Sequence, residues 1–257
     1  MRLIYLLVLF VVIAPHVFAQ SKTNPIDKFQ QLDELLPTPN EYRAASGSPG
    51  HRYWQQRADY TITAELDDAR QRITGSETIT YYNNSPDTLS YLWLQLDQNN
   101  LAKDSDEVTT ETAPSFDRVP LATLDNLLYR QGFEGGYRIT AVRDGRGAAL
   151  PHTIVRTMMR VDLPRPLAPN QNTTFAVDWN YNINDARRIN ARTGYEFFPR
   201  DSNYIYEIAH WFPRMAAYND VNGWQHKQFL GNGEFTLEFG NYRVSITAPD
   251  DSVRPSS

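Results

Sequence analysis

The feature that most constrains the fold is an alternation of apolar and polar residues with a period of two. Residues 59–66 place Tyr60 and Ile62 on the face opposite Thr61, and residues 73–82 repeat the pattern after the turn-forming pair Asp67-Asp68. Alternation of this kind is typical of half-buried β-strands, and the short turn predicts a hairpin. Residues 89–96 are apolar on both faces, which predicts a central strand.

Four later segments share this strand character. They are residues 137–142, 151–155, 158–163 and 173–181. Pro164 and Pro166 are expected to close the third of them, since proline lacks the N–H group that a sheet ladder needs. About seven or eight short strands predict a mostly β, largely antiparallel fold, either a β-sandwich or an open, curved sheet. Residues 101–128 are polar and predict a long excursion with one short helix.

Residues 204–249 are the most aromatic stretch of the chain. Phe235, Leu237 and Phe239 alternate with polar residues, and the pattern resumes at Tyr242 with the opposite parity, which predicts a bulge at Gly240 and a half-buried strand on each side. Residues 208–215 contain Pro213 and are too apolar for a solvated loop. This irregular segment is expected to lie against another surface.

The N-terminus predicts export. Residues 1–19 have a positive start, an apolar run and a small-residue cleavage pattern, which are typical of a secretory signal peptide, with a membrane anchor as the weaker alternative. Residues 20–50 predict a short amphipathic helix, at 27–36, and a linker, so we place the β domain at 51–257. The expected location is the periplasm or the secreted fraction.

With no cysteine in the chain, neither a disulfide nor a thiolate metal site is possible.

Charge and motifs argue against several functions. The net charge is -5 and basic residues cluster only in pairs, so the chain lacks the basic surface that is typical of a nucleic-acid binder. The five histidines include no pair with H-E-x-x-H spacing, and G-x-S-x-G and phosphate-binding glycine loops are also absent. No catalytic residue and no metal ligand set is therefore assigned, although Glu207 and His210 could share a metal if they lay on a helix.

One set of residues suits ligand binding. Tyr204, Tyr206, Glu207, His210 and Trp211 place hydrogen-bonding and anionic groups on an aromatic segment, a composition that fits the cationic or amide-bearing end of a ligand. Glu207, Tyr204 and His210 are the candidate substrate-binding residues. Structural packing of the aromatic residues is the alternative explanation, and it is the more common one for such a segment.

Two long segments resemble the N-terminal β domain of the aminopeptidase N family of zinc metallopeptidases, in particular its exported bacterial subgroup. One runs from Tyr53 to Asn99 and contains GSETITYYN, which looks like the family's G-x-x-x-I-x-Y-x-N signature; the other, IAHWFPRMAAYNDVNGWQHKQFLGNGEF and its continuation, runs from Ile208 to Asp251. The resemblance implies a saddle-like β domain that precedes a thermolysin-like catalytic domain.

The resemblance also implies partners and cofactors. Zinc is expected only in the catalytic domain, which carries H-E-x-x-H and is missing here, so that domain is the expected partner and a peptide N-terminus the possible ligand. In the family a Glu or Gln near the position of Tyr204 helps to bind the substrate's α-amine; Glu207 is the nearest carboxylate in this chain. The alternative hypothesis is a free-standing periplasmic β module that binds peptide, glycan or a partner protein.

Overall fold

The computed structural model describes residues 39–110, 112, 118–231, 233 and 235–250. The predicted signal peptide and the predicted helix at 27–36 lie outside these residues. The described residues belong to one compact unit. Within the described ranges, every helix is too short or too polar to cross a membrane.

The described residues form thirteen strands and two α-helices. The strands are β1 (Arg57–Asp67), β2 (Arg72–Asn83), β3 (Leu89–Gln95), β4 (Arg138–Asp144), β5 (His152–Val155), β6 (Met158–Leu167), β7 (Gln171–Asn182), β8 (Thr193–Phe198), β9 (Asn203–Ile208), β10 (Arg214–Met215), β11 (Tyr218–Asn219), β12 (Gly223–Trp224) and β13 (Tyr242–Thr247). The helices are α1 (Asp106–Thr110) and α2 (Leu121–Gly132), and a 3-10 helix spans Asp97–Leu101.

Two open sheets build the molecule, which confirms the predicted mostly β, largely antiparallel fold. A five-stranded sheet has the order β13-β1-β2-β7-β4, and a four-stranded sheet has the order β10-β3-β6-β5. All pairs are antiparallel except β1 with β13. β3 is flanked by β10 and β6, so the strand predicted to be central is central. The pairs β8-β9 and β11-β12 are separate two-stranded sheets.

The core lies between the two large sheets. Inward side chains from β1, β2 and β7 meet those from β3 and β6 in one continuous cluster, as the alternation predicts. Trp179 and Tyr181 of β7 are almost completely buried and stack with ring centroids 5.8 Å apart. Gly75 on β2 leaves room for Trp179, since a Cβ atom there would lie 2.3 Å from the indole ring.

The structure differs from two predictions made for the middle of the chain. The excursion after the 3-10 helix carries two helices rather than one, and the second extends to Gly132. β6 does not end before Pro164 but continues to Leu167. The prolines are tolerated because the pairing of β6 with β3 shifts register between Leu89 and Tyr91, so residues 163–166 have no ladder partner there.

The predictions for the last strand also need correction. Phe239 is paired with Arg57 and Tyr242 with Tyr60, so the offset is the same on both sides of Gly240 and there is no bulge. Gly240 instead allows close approach, because a Cβ atom there would lie 1.7 Å from the carbonyl oxygen of Ala58. Residues 235–239 form only isolated bridges. One face of β13 was predicted to be buried, but every residue of β13 is exposed because the strand lies at the sheet edge.

Candidate functional site

The β8-β9 hairpin carries an aromatic face. Tyr195 and Phe197 of β8 pack against Tyr204 of β9, with ring centroids 5.7 Å and 4.9 Å from that of Tyr204. Tyr206 lies on the same face, and its hydroxyl donates to Gln71 Oε1 at 2.9 Å. Partial burial raises the pKa of Tyr195 to about 12, so its hydroxyl stays neutral at physiological pH. The face is therefore a surface lined by aromatic rings.

The structure separates two of the sequence-predicted site residues. Tyr204 and Glu207 are three positions apart on β9, and a strand alternates its side chains, so they point to opposite faces. Glu207 is exposed and lies opposite Gly194 of β8. The aromatic face and the Glu207 carboxylate therefore cannot contact the same group of a ligand, unless that ligand bends around the edge of the strand.

His210 lies in the turn after β9 rather than on a helix, so the metal-sharing geometry with Glu207 does not arise. Its backbone is left-handed, with φ of 55°, a conformation that is uncommon outside glycine but that asparagine, aspartate and histidine adopt more often than other residues. The His210 ring packs edge-on against Phe229, with centroids 5.2 Å apart. Its carbonyl oxygen accepts a hydrogen bond of 2.8 Å from the Tyr137 hydroxyl.

Two buried side chains that sequence reasoning missed hold this turn in place. Gln98, from the 3-10 helix, donates through Nε2 to the carbonyl oxygen of Ala209 at 2.7 Å, and Tyr137 donates to that of His210. Near them, the buried Asp97 forms an ion pair with Arg214 of β10. The sequence offered one signal, the polar run Asp97-Gln98-Asn99-Asn100 directly after an apolar strand, because polar groups in such a place must find partners.

The segment after the turn lies against the core, as its composition predicted. Trp211 packs against Trp179, with centroids 6.2 Å apart, and Phe212 packs against Tyr60 at 5.7 Å. Both residues are only partly buried, so each also presents surface to solvent. Phe212 also contacts Tyr242 at 6.2 Å.

That last contact joins the segment to an exposed apolar surface. Tyr242, Val244 and Ile246 are paired with Tyr60, Ile62 and Ala64 of β1 and so share the core-facing side of the sheet. The three β1 residues are buried, yet the three β13 residues are 48%, 45% and 60% exposed. We call Tyr242, Val244 and Ile246 the β13 apolar face. It extends the core side of the sheet beyond the part that the second sheet covers.

A carboxyl group is buried in the core near this region. Glu77 of β2 is 1% exposed and lies between Ile62 and Val177 in the sheet register. Neither of its carboxyl oxygens has a hydrogen-bond partner among the described residues. Burial raises the pKa of Glu77 well above its ordinary value, because the charged form is poorly solvated there.

The residues that the structure describes include no set that fits a zinc ion. No group of three or more His, Asp or Glu side chains in the described part of the chain is arranged to hold a metal. A cavity of about 60 Å³ beside His210 is lined by Asp97, Asn100, Glu107 and Arg192. Asp97 pairs with Arg214 through Oδ2 and Glu107 accepts from Asn100, while Asp97 Oδ1 has no hydrogen-bond partner among the described residues.

Comparison with known proteins gives structural similarity only. No family model and no curated protein matches the chain. Solved structures similar to it include a two-domain M1 zinc metallopeptidase mutant bound to L-arginine, with 14% identity over 76% of this chain and a TM-score of 0.36. An M1 zinc metallopeptidase from Deinococcus radiodurans has 13% identity over 79% of this chain and a TM-score of 0.36. The chain spans about a third of their length. At such identities and TM-scores the likeness assigns no function.

Proposed function

We propose that the chain is the N-terminal β domain of an exported, aminopeptidase N-like zinc metallopeptidase. In this proposal it forms one wall of a peptide-binding cleft and has no peptidase activity of its own. The support from sequence is the pair of segments, Tyr53 to Asn99 and Ile208 to Asp251, that resemble that family. The full sequence contains no H-E-x-x-H, and the described residues offer no alternative ligand set.

The observation that carries the proposal is the β13 apolar face. An edge strand whose core-facing Tyr242, Val244 and Ile246 remain about half exposed is unfavourable in water, and such patches usually mark an interface. This face continues through Phe212 to Trp211, beside the turn that holds His210. A catalytic domain covering the β13 apolar face would thus border the turn, where a cleft could form between the two domains.

Three residues are proposed on the substrate side of that cleft. Glu207 is an exposed carboxylate and suits the α-ammonium group of a peptide. His210 and Tyr204 lie at the two ends of the same segment, where they would bound the space available to the first side chain. Because Tyr204 faces away from Glu207, its proposed contribution is through the aromatic face of the hairpin.

An activity assay tests the absence of catalysis. The purified chain, supplied with zinc, is expected to give no turnover of an aminoacyl-anilide above a no-enzyme control. Turnover that a chelator abolishes would contradict the proposal, because it would require a metal site within this chain.

Reading the coding DNA beyond the Ser257 codon tests the partner. We expect a segment encoding H-E-x-x-H there, and the two parts produced together should hydrolyse the anilide.

In that joined protein Val244→Glu is expected to lower activity, because it places a charge in the interface, whereas Ser245→Glu on the opposite face should have little effect. If no such segment is found and the chain alone is a monomer that binds no hydrophobic dye, the alternative of a free-standing binding module is favoured.

A further inference from the structure

A second cavity, of about 370 Å³, lies away from the hairpin and the His210 turn. Its walls come from the N-terminal part of the domain, from β11 and from the segment before β13. The lining residues include Tyr53, Trp54, Tyr218, Phe235, Glu238 and the largely exposed Phe239. We call it the aromatic cavity. Nothing in the proposed peptidase role uses it.

Five of the thirteen residues around the cavity are aromatic. Trp54 and Tyr218 stack with centroids 5.8 Å apart, and Tyr53, Phe235 and Phe239 line the same space. The face of each such ring carries a negative electrostatic potential, so several rings around one space favour a cation there.

The cavity also contains the carboxyl group of Glu238, which can accept further hydrogen bonds. Glu238 accepts a hydrogen bond of 2.8 Å from the backbone N–H of Tyr218 through Oε1, and a carboxylate has lone pairs for further donors. Burial raises the pKa of Glu238 to about 7, so it ionises near neutral pH. A cation bound next to it would stabilise the ionised form.

Among the residues that the structure describes, no cationic side chain forms a salt bridge with Glu238. The positively charged residue in the wall is Arg43, and its guanidinium is held by both oxygens of Asp220, at 2.9 Å and 2.8 Å. Arg43 also lies over the Tyr53 ring, at 5.1 Å from the centroid. Tyr53 also lines the cavity, and Tyr81 and Tyr218 lie near Glu238. Burial raises the pKa values of Tyr81 and Tyr218, so these two groups stay neutral through the range in which Glu238 ionises.

We propose that the aromatic cavity binds a small organic ammonium ion, with the rings around its alkyl groups and the Glu238 carboxylate as its counter-ion. Ring faces and a carboxylate together are the groups that recognise quaternary ammonium ligands. The cavity volume admits a ligand of a few heavy atoms, such as choline, together with water. The competing occupants are a sugar and a neutral peptide group, whose binding would not depend on the charge of Glu238.

Calorimetric titration with choline tests the site, with 3,3-dimethylbutan-1-ol as a neutral ligand of the same shape. We expect saturable, millimolar binding of choline at pH 8 and at least about ten-fold weaker binding of the alcohol, the loss expected for one charge-assisted contact. Choline binding should weaken as the pH falls through about 7, because protonation removes the counter-ion. Equal binding of the two ligands, or no saturable binding of choline, overturns the proposal.

Variants locate the binding. Glu238→Gln keeps the shape and should lose about ten-fold in choline affinity together with its pH dependence. Glu65→Gln makes the same charge change on the exposed face of β1 and should bind like the natural chain. If Glu238→Gln fails to fold, as judged by near-UV circular dichroism, Phe235→Leu removes one ring instead and should weaken choline more than it weakens the alcohol. Binding that neither change affects overturns the proposed location.

Discussion

At the scale of single residues, Glu77 is the clearest conflict between burial and charge. Its carboxyl group occupies a core-facing position of β2 between apolar neighbours. Burial raises the pKa of Glu77 in the folded protein above its ordinary value of 4.5. The contribution of Glu77 to the free energy of unfolding is therefore fully present below the pKa of the unfolded chain, and it is lost as the pH rises through the pKa of the folded protein. The natural chain is therefore expected to lose stability on going from pH 5 to pH 8 through this group.

Glu77→Gln should remove that loss. At pH 8 we expect the variant to be more stable than the natural chain by about 1 kcal/mol or more, since each unit of pKa shift corresponds to about 1.4 kcal/mol. Urea unfolding at several pH values measures the difference. Glu65→Gln on the exposed face of β1 is the control and should change little. A variant less stable at pH 8 than the natural chain would mean that the Glu77 carboxylate has a partner in solution.

Gly75 tests the packing of the core at one position. Gly75→Ala places a Cβ atom 2.3 Å from the Trp179 ring, so either the ring or the strand must move. We expect a loss of about 1–3 kcal/mol in the free energy of unfolding. Gly132→Ala meets no atom within 4 Å and should stay within about 0.5 kcal/mol of the natural chain in the same denaturant experiment.

At the scale of elements, the turn after β9 depends on the side chain of a distant segment. Gln98 donates to the carbonyl oxygen of Ala209 from the 3-10 helix, more than a hundred positions earlier in the chain. Gln98→Ala leaves that carbonyl without its partner and should cost about 1–2 kcal/mol. Hydrogen exchange should also quicken at the backbone amides of residues 208–211, whereas the exposed Gln171→Ala should alter neither measurement.

At the scale of the whole molecule, the β13 apolar face is the main departure from a closed core. The double variant Val244→Thr/Ile246→Thr keeps residues that favour strands and makes this face more polar. We expect it to bind less hydrophobic dye and to self-associate less, in fluorescence and sedimentation experiments, with its melting temperature nearly unchanged. Ser245→Thr on the opposite face is the control. Dye binding that the double variant does not reduce would place the exposed apolar surface elsewhere.

Strands β1 to β7 could be predicted from the sequence because alternation is a local property. Each buried residue of β1, β2 and β7 follows from the parity of its position, and the turns between those strands follow from residues such as Asp67-Asp68. The candidate site was predicted less well. The sequence places Tyr204 and Glu207 close together in number, but only the strand conformation of β9 shows that they lie on opposite faces.

The sequence by itself indicated where β1 to β7 lie and which side of β1, β2 and β7 is apolar, since both depend on neighbours along the chain. Only the tertiary structure decided how much of that apolar surface is covered. Tyr242, Val244 and Ile246 have the pattern of a half-buried strand, yet they remain exposed because β13 pairs in parallel at the edge of the sheet, beyond the reach of the second sheet. Burial is set by long-range pairing order, and no local pattern encodes that order.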